Sequence, residues 1–142
     1  KTNREKNSSN LTERTLREIY LKAFKISVEK GNAKSVMTSY NKINGVYTPN
    51  SYDLCTNVLR NEWNFNGVVM TDWFSTKKNH AKNCLAIKAG NDLIMPGGFG
   101  HYKKEIKKAL KNKTLNINDL YFSCYKVVES IMNSDIQKEY MK

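Results

Sequence analysis

The sequence predicts an α/β fold built from parallel strand–helix units. Three observations predict it. Short runs such as Val68-Val69-Met70-Thr71 are apolar almost throughout, the mark of strands buried on both faces. Between these runs lie segments whose apolar residues recur at helical spacing. Clusters of Gly, Asn and Pro separate the two kinds of segment, which is where turns belong.

In chain order, a polar lead-in is followed by Thr12, a residue suited to cap a helix, with Glu13 placed well near the positive end of its dipole. Leu16, Ile19, Tyr20, Ala23, Phe24 and Ile26 to Val28 then give a helix that Gly31-Asn32 stops. Ser35 to Tyr40 reads as a strand, and Asn41-Lys42-Ile43-Asn44-Gly45 as a turn. Asn50 or Ser51 caps a second helix, with Leu54, Val58 and Leu59 inward, and Asn66-Gly67 breaks it ahead of the strand Val68 to Thr71. A third helix is expected from about His80 to Lys88, closed by Gly90, and a third strand at Leu93-Ile94-Met95, cut off by Pro96-Gly97-Gly98. Two more helices are expected, near Tyr102 to Lys111 and Asp119 to Asn133, the last with Leu120, Cys124, Val127, Val128 and Ile131 on one stripe. Three units in series fit either a small open sheet or part of a barrel. A complete (β/α)₈ barrel takes ~250 residues, so the 142 residues here could supply only its closing portion. With no low-complexity linker or close repeat, residues 1–142 read as one unit.

Composition narrows the classes. At 39% hydrophobic and 26% charged residues, the chain reads as globular. No run of about 18 apolar residues is present, which argues against a membrane span. Lys1 to Asn10 lack the apolar core of a secretory signal, and the missing initiator Met points to a start partway through a longer protein. The net charge of +11 could draw the chain to nucleic acid. The cations are dispersed, however, and no helix carries an Arg-rich stripe. Lys103, Lys104, Lys107, Lys108 and Lys111 fall on one expected wet face. Cys55, Cys84 and Cys124 are odd in number and form no C-x-x-C pair; they are expected as buried structural thiols. Free thiols and no visible signal lean toward the cytoplasm. His80 and His101 have no ligand-spaced partners, so neither a metal nor a cofactor is expected. Gly97-Gly98 lacks the rest of a phosphate-binding pattern and reads as a turn.

In parallel α/β folds, functional groups gather at the C-terminal ends of strands. That rule selects Tyr40-Asn41, Asp72-Trp73 and Pro96-Gly97-Gly98. Asp72 presents a carboxylate at a strand tip with an indole beside it, a pairing suited to a sugar because the ring's flat face can cover the C–H side of a pyranose. The residues alone leave a second reading open, with Asp72 as the cap of the following helix. Asp92 reads as a loop or strand-start anchor, and Glu18 and Glu62, inside helices, as structural.

Four segments carry a resemblance. They are Leu16-Arg17-Glu18-Ile19-Tyr20-Leu21, the run Ala33 to Gly45, Gly67-Val68-Val69-Met70-Thr71-Asp72-Trp73, and Ala89 to Gly97. In this order and approximate spacing they resemble family 3 glycoside hydrolases of the β-glucosidase type, closely over about residues 1 to 110 and loosely over the last helix. The resemblance implies the closing portion of an incomplete (β/α)₈ barrel. It implies that Asp72 is the nucleophile of a retaining mechanism, attacking the anomeric carbon to give a covalent glycosyl-enzyme. By the same resemblance Trp73 shapes the sugar pocket and Tyr40 hydrogen-bonds near the nucleophile, with a core aromatic as its other reading. Arg4, in Thr2-Asn3-Arg4, matches an upstream loop near the substrate.

The implied partner is a carbohydrate, a β-glucoside or related sugar, together with the missing barrel strands and downstream domain of a parent protein. That downstream domain is where the family places its acid/base, and the family's upstream Lys-His pair does not occur here. The chain alone is therefore expected to be inactive and to expose sheet edges. Two readings compete. A non-catalytic carbohydrate-binding relative has no need of Asp72, and a basic nucleic-acid-binding domain rests on net charge alone.

Overall fold

The computed structural model describes residues 3–77 and 79–140. Its elements run β1 (Ser8–Ser9), a helical run α1 over residues 13–29, β2 (Ser35–Met37), β3 (Lys42–Ile43), β4 (Val46–Tyr47), a 3₁₀ turn at Thr48–Asn50, α2 (Asp53–Glu62), β5 (Val68–Met70), α3 (Asn83–Lys88), α4 (Gly100–Lys111), α5 (Ile117–Met132) and α6 (Asp135–Tyr140).

The expected parallel core is present. β2 and β5 pair in parallel, Ser35 beside Val68 and Met37 beside Met70. They can lie this close because Gly67 has no side chain: a Cβ there would stand 2.2 Å from the Lys34 carbonyl oxygen. The third strand is reduced to one parallel bridge between Met70 and Leu93. Thr71 N–H still reaches Leu93 O at 2.9 Å, but Met95 N–H then turns to the Thr71 hydroxyl instead of a backbone carbonyl, and the ladder ends.

The core lies behind β5, where Val58, Leu59, Trp63, Phe65 and Val69 are buried together and Leu21, Val28 and Val36 pack against them. A second cluster, Ile87, Ala109 and Leu115, joins α3 to α4. Beneath the sheet Arg60 meets Asp92 at 2.6 Å, the carboxylate wholly buried. Arg60 also donates to the carbonyls of Gly67 and Gly90, and Asp92 accepts the Val69 N–H at 2.8 Å. Burial pushes the Asp92 carboxyl up, while the Val69 N–H and Arg60 pull it back. Asp92 is thus a strand-start anchor, as its position implied.

Several expectations need correcting. The first strand stops at Met37, so Thr38 to Tyr40 belong to the loop beyond it. The third helix starts at Asn83 rather than His80, because turns occupy the segment after Asp72. The last helix begins earlier, at Ile117, through a reciprocal cap between Asn116 and Asp119. The turn at Asn41 to Gly45 is the heart of a hairpin, β3 with β4, and β1 adds to it in parallel.

The apolar stripe on α5 is the largest departure. Ser123 and Lys126 are its buried residues, while Val128 and Ile131 are 56% and 55% exposed. Lys126 reaches inward because Asn66 accepts its ammonium through both its backbone and its side-chain oxygen. Of the three thiols, Cys55 is buried, Cys84 half-buried and Cys124 exposed, so the core expectation fails for Cys124.

Candidate active site

β5 delivers the site. Val69 and Thr71 are fully buried, which fixes the strand up to its tip. Asp72 follows half-buried and Trp73 exposed. The Asp72 carboxylate accepts the N–H of Trp73 at 2.7 Å, and its backbone carbonyl accepts Ser75 N–H at 3.2 Å. Asp72 therefore heads a turn. It caps no helix, since the next one opens at Asn83.

The loop after β2 brings Tyr40 alongside. Its hydroxyl donates to the Trp73 carbonyl at 2.6 Å. Burial, and then the neighbouring Asp72 carboxylate, push the Tyr40 phenol above its ordinary value. A neutral phenol beside a carboxylate is a hydrogen-bond donor held ready. Arg4 completes the group, its guanidinium carbon 4.6 Å from the centre of the Tyr40 ring in cation–π contact.

Arg4, Tyr40 and Asp72 line one cleft of about 750 Å³, whose deeper wall includes Leu21, Val36 and Val58. Trp73 lies outside that wall. It is 53% exposed, and its ring meets Phe74 edge-on at 6.2 Å. Three of the four expected residues thus converge on the cleft, and the fourth flanks it. The turn at Pro96-Gly97-Gly98 stands close to Asp72, because Phe74 N–H reaches Met95 O at 3.1 Å. Phe74 has φ 58°, an uncommon value for a bulky residue. Among the described residues, no three His, Cys, Asp or Glu side chains converge on a possible metal position. No described helix is long and apolar enough to cross a membrane.

Two features escaped the sequence reading. Asn91 is fully buried behind the site, its amide donating to Pro49 O and Ala86 O and accepting from the Thr38 hydroxyl. Nothing in its local spacing marks it, since these partners are scattered along the chain. Glu5 pairs with Lys77 at 2.7 Å, a contact no local pattern could foretell.

Comparison with known proteins shows the family to which the chain belongs. The sequence model of the glycosyl hydrolase family 3 N-terminal domain matches residues 2–129. The chain belongs to glycosyl hydrolase family 3. It is 39% identical over 140 residues to a β-glucosidase of Ruminococcus albus, covering 94% of this chain and 15% of that protein. It is 47% identical over 104 residues to a β-glucosidase of Rhizobium radiobacter, covering 73% of this chain and 12% of the relative. Among solved structures, β-glucosidase 3B from Thermotoga neapolitana in complex with glucose superposes with a TM-score of 0.86 at 38% identity, over 97% of this chain and 20% of that one. The chain therefore spans only a small part of the length of these relatives. Their fold agrees with the mixed α/β architecture described above.

Proposed function

We propose that this chain is part of a retaining, exo-acting β-glycosidase of the β-glucosidase type, and that Asp72 is its nucleophile. The observation that carries the reading is the placement of Asp72 at the tip of β5, in one cleft with Tyr40 and Arg4. The Asp72 carboxylate attacks the anomeric carbon as the glycosidic C–O bond breaks, and the leaving oxygen takes a proton from a general acid. Water then attacks the same carbon, its proton passing to that same acid/base group, which releases the sugar and restores both the carboxylate and the acid. Tyr40 and Arg4 hold the sugar against Asp72, and Trp73 borders the opening.

The second carboxyl group of a retaining pair stands about 5–5.5 Å from the first. Among the described residues lining the cleft, Asp72 is the only carboxylate, so the acid/base comes from outside this chain in our reading. Residues 1–142 would then form the closing portion of a (β/α)₈ catalytic domain. β2 is one edge of its sheet, with Met37 54% exposed; upstream strands of the parent would cover it.

The test is a trapping experiment. The chain and the full-length gene product are each treated with an activated fluoroglucoside that stalls the covalent intermediate, and the adduct is mapped by mass spectrometry. The expected result is an adduct on the Asp72 peptide of the full-length protein and none on the chain alone. An adduct on another carboxylate, or full turnover by Asp72→Asn, would overturn the assignment. Glucose binding with no adduct on any sugar of a labelled panel would favour a binding relative.

A further inference from the structure

Arg4 reaches the cleft from the short turn that precedes β1. Residues 3–7 form one turn, Lys6 N–H and Asn7 N–H both donating to Asn3 O. Beyond the turn, β1 pairs with β3 through only Ser8 and Ser9, helped by Lys42 N–H to Asn7 O and Asn44 N–H to Ser9 O. Asn44 further exchanges two bonds with Leu11, and Gly45 N–H reaches the Ser8 hydroxyl, so β1 and its flanks are tied to the β3–β4 hairpin. Toward the Asp72 loop, Glu5 Oε2 accepts Lys77 Nζ at 2.7 Å, and His80 Nε2 stands 3.8 Å from the same oxygen. Lys77 and His80 belong to the turns that follow Asp72, linked by His80 N–H to Lys77 O. The Tyr47 ring packs 5.8 Å from the His80 ring, which ties β4 to the same point. Lys77 also holds the Glu5 carboxyl below its ordinary range, so the Glu5 carboxylate stays charged at neutral pH.

We propose that Glu5 and Lys77 are positioning residues: their ion pair clasps the Arg4 segment to the loop of Asp72 and sets the guanidinium over Tyr40. The proposal rests on the reading of the cleft as a sugar site. Glu5 touches neither the cleft nor the reacting atoms; it acts through its neighbour Arg4. A partly exposed ion pair is a weak lock, enough to bias a short segment whose other bonds run within itself and to the β3–β4 hairpin.

The experiment uses the full-length gene product with Glu5→Gln, Lys77→Met, and the charge swap Glu5→Lys with Lys77→Glu. Three readouts are taken: amide exchange of residues 4–7, glucose affinity by calorimetry, and kcat and KM on an aryl β-glucoside. Each single variant is expected to speed exchange in the segment, weaken glucose binding and raise KM about two- to fivefold, with kcat changed less. The swap restores all three. In an Arg4→Ala background, Glu5→Gln is expected to leave glucose affinity and KM unmoved, because the effect travels through Arg4. Unchanged exchange in the single variants overturns the clasp. The same loss of affinity with and without Arg4 overturns its positioning role. Loss of all activity and glucose binding in the unmutated protein would instead defeat the sugar-site reading, while the exchange data still decide the clasp.

Discussion

Tyr40 and Asp72 grip the same residue from opposite ends: the Asp72 carboxylate accepts the Trp73 N–H at 2.7 Å, and the Tyr40 hydroxyl donates to the Trp73 carbonyl at 2.6 Å. The carboxylate is thereby oriented by a backbone unit that the neighbouring loop holds still. This makes Tyr40 a determinant of where Asp72 points.

Tyr40→Phe removes that hold and leaves the ring in place under Arg4. The expected outcome in the full-length protein is a fall of about tenfold in kcat/KM, the scale of one hydrogen bond near a charged group. Thermal stability should drop by only about 1 kcal/mol. Initial-rate kinetics beside a melting curve check this; an unchanged rate with a lowered melting point would reduce Tyr40 to a core aromatic.

Gly67 sets the spacing of the two paired strands. A Cβ there would meet the Lys34 carbonyl at 2.2 Å and the Phe65 ring at 2.7 Å. Backbone cannot give way as a flexible side chain can, so Gly67→Ala must push β2 away from β5. The expected cost is about 1–3 kcal/mol, read as a lowered denaturation midpoint. Wild-type stability in this variant would mean that the strands are not packed as closely as described.

The strand tips were legible because the signals there are local. Val68 to Thr71 are apolar in succession, Asp72 follows at once, and a parallel strand's end is a known place for chemistry. The hairpin was missed although its signal was present. Asn44 and Gly45 both have positive φ, 48° and 82°, the backbone of a tight hairpin turn that Asn-Gly favours. Its strands have two residues each, too short for any alternation of apolar and polar residues to show. The third strand failed for the opposite reason, since Leu93 to Met95 are apolar enough but a side-chain hydroxyl, Thr71, takes the bond that would extend the ladder. Periodicity misplaced the α5 stripe because burial there follows polar partners, Asn91 O for Ser123 and Asn66 for Lys126. Those partners lie far away in sequence and leave no trace in local spacing.

α1 and α2 are joined by a fork. Arg17 donates to both oxygens of Glu62, at 2.5 and 2.9 Å, and also to Glu13 at 2.9 Å. The Arg17 bond holds the Glu62 carboxyl below its ordinary value of 4.5. A depressed carboxylate contributes stability that is fully present above its unfolded pKa and is lost as pH falls through its folded value. The melting temperature of the unmutated chain should therefore fall below pH 4.5 more steeply than that of Glu62→Gln. Parallel acid curves for the two proteins would show that the fork contributes nothing in solution.

The three thiols should part company under a thiol reagent. Cys124 is exposed on α5, whereas Cys84 is half-buried, and burial followed by the nearby Glu105 carboxylate raises its thiol. Cys55 is 3% exposed, and burial pushes its thiol up to about 12. Since the thiolate is the reactive form, Cys124 should label first, Cys84 slowly, and Cys55 only on unfolding. The same burial has a consequence for stability. A raised thiol contributes stability that is complete below its unfolded pKa and is lost as pH rises toward its folded value. For Cys55 that window runs from about 9 to about 12, because over it the unfolded chain sheds a proton that the folded chain keeps. Melting temperatures should decline across the lower part of this window, and Cys55→Ala should flatten the decline while leaving the labelling of Cys124 unchanged. A Cys55 that reacts as fast as Cys124 in the folded protein would mean that α2 does not bury it.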